Sequence, residues 1–69
     1  MKQKTLIELR TGRGLTRQEV AKLINKSLVF VYMLETGRRN ASDNTKRDLA
    51  KLYNCSIEDI FLALKLTQS

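Results

Sequence analysis

The side chains best equipped for chemistry in this chain are its cations. Of 13 Lys and Arg residues set against 7 Asp and Glu, nine basic and three acidic groups fall in residues 1–39 and four of each in residues 40–69. The whole net charge of +6 therefore sits in the first part. A one-sided cationic surface suits a polyanion, because neutralising phosphates releases their condensed counterions; the same excess also keeps a small protein dissolved. Other chemistries lack parts. There is no histidine to activate a serine or to join a zinc site, and the single Cys55 excludes an internal disulfide. The adjacent carboxylates Glu58 and Asp59 fall at a helix start, where negative charge is favourable in its own right. Gly12 and Gly14 are not followed by the lysine and serine of a phosphate-cradling loop. The expectation is a non-enzyme with no metal site and no cofactor.

Length and patterning set the elements that must position those cations. At 69 residues the chain is expected to form one domain, residues 1–69, burying roughly 60% of its unfolded surface. Leu15 to Asn40 organises it. Thr16, with Glu19 three residues on, predicts a capping box and a helix from Arg17; Val20, Ala21 and Ile24 share its inner face, and Asn25 suits a left-handed stop. Ser27 caps the next helix, which runs through Leu34 and Glu35 until Gly37. Arg17 would then stand at a helix start, where free N–H groups, the dipole and its own forked donor all favour phosphate. Arg38, Arg39 and Asn40 flank the other end, and Lys22 and Lys26 add to the field. Two helices and a tight turn over about 16–36 outline a helix-turn-helix; the outline equally fits two packed core helices.

Around this unit the pattern is helical throughout. Leu6, Ile7 and Leu9 give a short first helix to about Thr11, after a polar, frayed Met1–Thr5. Ser42 opens a fourth helix carrying Leu49, Ala50, Leu52 and Tyr53, ended by Asn54 (about 42–54). Ser56, with Asp59, opens a fifth (about 56–65), with Thr67–Ser69 as a tail. Ile57, Ile60 and Phe61 are expected in the core, with Leu62, Leu64 and Leu66 as an exposed strip for a symmetric contact. The longest uncharged apolar run, Leu28 to Leu34, is far short of a membrane span. A reducing cytoplasm is the expected compartment.

Laid out this way, the chain resembles the lambda-type phage repressor and Cro (XRE-type) family of helix-turn-helix proteins, over nearly its whole length. The resemblance is carried by Leu9-Arg10, Gly14-Leu15-Thr16, Glu19-Val20-Ala21, Ser27, Val31, Leu34-Glu35, Gly37, Arg39-Asn40, Ser42, Leu49-Ala50 and Ser56-Ile57-Glu58-Asp59-Ile60-Phe61. It implies an all-α, five-helix lambda repressor-like DNA-binding domain with a central helix-turn-helix. It further implies a structural ion pair of Arg10 with Glu35. DNA contacts are implied at Arg17 and Gln18, at Ser27, Leu28, Val29, Tyr32 and Met33, and at Arg38, Arg39 and Asn40. Cys55 stands where the family has a small apolar residue and is expected to pack.

One departure bears on function. Phe30, Val31 and Leu34 would face inward, leaving Leu28, Val29, Tyr32 and Met33 outward, and only Tyr32 of these offers a hydrogen bond. The family places bidentate polar side chains at several of these sites, since those distinguish base pairs in the major groove. Three readings compete. The apolar groups can meet thymine methyls, favouring A·T-rich sites, with Tyr32 and Ser27 adding polar contacts; they can bind a protein; or the helix can be rotated so that part of this face is core. The expected function is a sequence-specific double-stranded DNA-binding transcriptional regulator, a phage or mobile-element Cro or repressor type, acting as a homodimer on operator DNA. The alternative is a protein-binding module using the apolar face of helix three.

Overall fold

Each helix starts behind a hydroxyl. The computed structural model describes residues 3–67, so the expectations for Met1, Lys2, Gln68 and Ser69 lie outside the described residues. It contains α1 (Leu6–Gly12), α2 (Arg17–Leu23), α3 (Leu28–Glu35), α4 (Asp43–Leu52) and α5 (Ile57–Thr67). The all-α, five-helix expectation holds. Thr5, Thr16, Ser27, Ser42 and Ser56 each accept a backbone N–H from the residue three positions on. Glu8, Glu19 and Asp59 return the bond to the backbone N–H of their own cap. Each such cap stabilises its helix by about 1 kcal/mol. Thr5 corrects the expectation of a frayed start: Thr5 and Glu8 form the same capping box as Thr16 and Glu19.

The stops are equally uniform. Gly14, Asn25, Gly37 and Asn54 have φ of 70°, 58°, 78° and 54°. After each, the next N–H reaches back over the helix end: Leu15 to the Arg10 carbonyl, Lys26 to Ala21, Arg38 to Met33 and Cys55 to Ala50. This is the Schellman arrangement, which satisfies carbonyls the helix leaves orphaned. The left-handed backbone costs most side chains roughly 1–2 kcal/mol, which explains glycine at two stops and asparagine at the other two.

Packing follows from these turns. α2 lies against α3 and α4 against α5, and α5 also touches α1 and α3. The largest fully buried side chains, Leu6, Val20, Leu34, Leu49 and Ile60, come from all five helices. Cys55 packs against this core as expected, and burial, then the nearby Asp59 carboxylate, raises its thiol above the usual range.

In α5 the inward register differs from expectation. Ile60, Ala63 and Leu64 are buried, whereas Ile57 and Phe61 are 47% and 48% exposed. Leu64 is thus core, and the exposed strip consists of Ile57, Phe61 and Leu66, with Leu62 half-buried. The cause is breadth. Apolar residues occupy more than half of α5's circumference, so spacing alone admits two registers, and Ala63 decides between them by letting the helix sit close on the core.

Candidate nucleic-acid interface

α3 is an unusual helix to expose. Its sequence LVFVYMLE carries no charge before Glu35 and includes two β-branched valines, which lose side-chain freedom in a helix. Its stability therefore depends on the Ser27 cap, whose Oγ accepts the Phe30 N–H at 3.0 Å, and on the buried contacts of Val31 and Leu34. The opposite side is open. Leu28 is 46%, Val29 64% and Tyr32 47% exposed. Met33, expected fully outward, is half-buried, and Phe30 is partly buried against the core. A rotation of α3 that hides this face is therefore not what the fold adopts.

Behind the open face sits a buried carboxylate shared by two arginines. Arg10 Nε donates to Glu35 Oε2 at 2.7 Å, its Nη2 reaches Oε1 at 3.4 Å, and its Nη1 donates to the Leu15 carbonyl at 2.9 Å. One guanidinium thereby fastens α1 to both α3 and the turn before α2. Arg17 Nε also donates to Glu35 Oε1, at 2.7 Å. The side chains of Arg10 and Glu35 are 11% and 2% exposed, that of Arg17 38%. Removing one partner from a buried pair is costly, because the survivor keeps its desolvation without compensation. Tyr53 feels the same charges: burial first, then the Glu35 carboxylate, holds its phenol well above the usual range, with Arg10 pulling the other way.

Cations frame the open face on both sides. Arg17 lies over the Tyr32 ring, 5.3 Å from its centroid, and lines an open groove with Gln18 and Leu28. On the other flank Arg39 and Lys26 lie over the Phe30 ring at 4.8 and 5.4 Å. Gln18, Ser27, Arg38, Arg39 and Asn40 are all exposed. The fold thus brings the ten candidate contact residues onto α3, the start of α2 and the segment after Gly37.

Two relations were not legible in the sequence. The Arg17–Glu35 bond joins residues 18 apart with no local signal between them. Phe30 packs against the core as expected, and its ring also anchors two cations that stand before and after α3.

Comparisons with known proteins identify the family. A family described as Helix-turn-helix matches residues 6–60. Two proteins of Archaeoglobus fulgidus, each described as an uncharacterized HTH-type transcriptional regulator, are 33% identical to the chain over 55 residues; the match spans 80% of this chain and 79% and 78% of theirs. No solved structure matches. The matched span begins with α1 and ends inside α5, enclosing the whole cation-framed unit. The chain belongs to the helix-turn-helix family, of the lambda repressor and Cro-like type, whose members are DNA-binding transcriptional regulators.

Proposed function

We propose that this protein is a sequence-specific regulator that lays α3 in the major groove of double-stranded DNA. One observation carries the reading: an exposed helix face is bracketed by Arg17 over Tyr32 and by Arg39 over Phe30, with the exposed Arg38 next to Arg39 in the chain. A groove is bounded by two phosphate strands, so a reader needs cations on both flanks and base contacts between them. Leu28 and Val29 supply apolar surface for thymine methyls, which favours A·T-rich sites. Gln18, Ser27, Tyr32, Met33 and Asn40 complete the contact set. Arg10 and Glu35 are assigned to structure, holding α1 and α3 in register.

The working form is a two-fold dimer reading half-sites about 34 Å apart, joined through the apolar strip of α5, in the manner of phage and mobile-element Cro and repressor proteins in the cytoplasm. Ile57, Phe61 and Leu66 supply that strip. Selection from random duplexes tests these points together. It should enrich paired A·T-rich half-sites; recovery of no preferred sequence would overturn sequence-specific recognition.

A second reading draws on the shortage of hydrogen-bonding side chains on α3: the same face docks a protein partner. The substitution Leu28→Lys separates the two. It would abolish association with a protein while leaving duplex affinity equal or higher, whereas a methyl reader would lose its preferred site.

A further inference from the structure

Arg17 has a geometry that charge balance at Glu35 does not require. Glu35 is already matched in charge by Arg10, which is as buried as the carboxylate requires and also ties down the Leu15 carbonyl. A second guanidinium on the same carboxylate leaves the cluster with a surplus positive charge, placed on a side chain that is 38% exposed. Its three nitrogens are also divided. Nε is committed to Glu35 Oε1 at 2.7 Å, and the guanidinium carbon lies over the Tyr32 ring, 5.3 Å from its centroid. Because the guanidinium is planar and rigid, holding Nε on Glu35 and the group against the Tyr32 ring leaves the terminal amino groups as a preset pair of donors.

Resting on the DNA reading above, we propose that Arg17 is a pre-oriented phosphate fork, aimed by Glu35 and backed by the Tyr32 ring. Glu35 and the Tyr32 ring then have positioning roles, each acting on the nucleic acid through Arg17, separate from the contact that the Tyr32 hydroxyl makes itself. The tyrosine contributes its ring face, and its hydroxyl is dispensable for this role. A preset donor pair binds more tightly than a mobile charge, because its side chain loses less freedom on docking. The benefit is lost if the fork is replaced by a point charge.

The test measures affinity for one short mixed-sequence duplex across a salt series, with circular dichroism verifying that each variant is folded. Glu35 is left intact, since its loss strands Arg10. Arg17→Lys keeps the charge and should weaken binding about threefold to tenfold with an unchanged salt slope. Tyr32→Phe keeps the ring and removes only what the hydroxyl adds to the contact set. Tyr32→Leu should lose about twofold to fivefold more than Tyr32→Phe, the size of an exposed cation–π contact. That extra loss should vanish when Tyr32→Leu is made in an Arg17→Ala background, as a double-mutant cycle reads a shared contribution.

Three results overturn the proposal while leaving the DNA reading in place: Arg17→Lys binding as tightly as the parent, Tyr32→Phe losing as much as Tyr32→Leu, or Tyr32→Leu costing the same with and without Arg17. A parent protein indifferent to the duplex at about 50 mM salt would remove both.

Discussion

Leu28, Val29 and Tyr32 on α3 and Ile57, Phe61 and Leu66 on α5 are exposed to similar degrees, between 46% and 64%. Their charged surroundings differ. The α3 face is bordered by Arg17, Lys26 and Arg39, and the one carboxylate on α3, Glu35, is buried and already bound by two arginines. Beside the α5 strip, Lys46 and Lys65 lie over Phe61, and Asp43 and Glu58 line the adjoining groove, so the signs cancel. Equal hydrophobicity with unequal charge implies unequal partners. A polyanion is drawn to the first face and repelled by nothing there, while the second suits another neutral apolar surface, such as a second copy of itself.

The largest effect expected from breaking this contrast lies beneath α3. Glu35→Ala leaves the buried Arg10 without its carboxylate and should cost about 3–5 kcal/mol, comparable with the whole stability of a domain this small. Thermal melting should show a lost or strongly lowered transition. Arg10→Met together with Glu35→Leu should recover most of it, because exchanging a buried pair for packed apolar groups is near neutral. On the α5 side, Phe61→Ser removes a ring that is 48% exposed and should cost no more than about 1–2 kcal/mol. A similar loss at both sites would mean that the two faces are supported alike, and the contrast would fail.

Charge gives the next effect. Arg17→Ala combined with Arg39→Ala should weaken duplex binding by about 1.5–3 kcal/mol per arginine and lower the salt slope by about two. Lys46→Ala with Lys65→Ala, which removes the same charge beside α5, should leave that slope nearly unchanged. Equal slopes for the two double variants, measured by fluorescence anisotropy, would show that DNA senses net charge alone. Smaller again is the association effect. Phe61→Ser with Leu66→Ser should shift sedimentation toward monomer, losing roughly 1–3 kcal/mol per side chain removed from a dimer contact, with single half-site affinity retained.

How far the sequence disclosed these two faces follows from the range of the forces that fix them. Caps and stops are local: Thr16 with Glu19, Ser27, Asn25, Gly37 and Asn54 occupy the positions their side-chain chemistry demands, so helix boundaries were readable to within a residue or two. The α3 face was readable too, because Val31 and Leu34 leave only one side for the remaining apolar residues. α5 was not, since its apolar positions fit two registers and the choice rests on how closely Ala63 lets it approach the other helices. The second arginine on Glu35 was hidden for a related reason. It depends on α2 crossing α3 so that position 17 overlies position 35, a fact of tertiary geometry that no spacing encodes.

The smallest effect tests whether the two regions share a foundation. Tyr53 ends α4, which packs on α5, and its phenol feels the Glu35 carboxylate under α3. Burial and that carboxylate raise its pKa in the folded protein above the ordinary value of 10.0. A raised folded pKa means that the unfolded chain releases its proton first. The stabilisation is therefore complete below pH 10 and lost as pH rises above it, at about 1.4 kcal/mol per pH unit for one group. Cys55, also raised, acts in the same direction from a slightly lower pH, so Tyr53→Phe is the variant that isolates the phenol. Urea unfolding from pH 8 to 11 should show the parent losing stability beyond pH 10 more steeply than Tyr53→Phe. If the two curves run parallel, Tyr53 carries no ionisation penalty, and neither its burial nor the Glu35 carboxylate holds its proton in the folded protein.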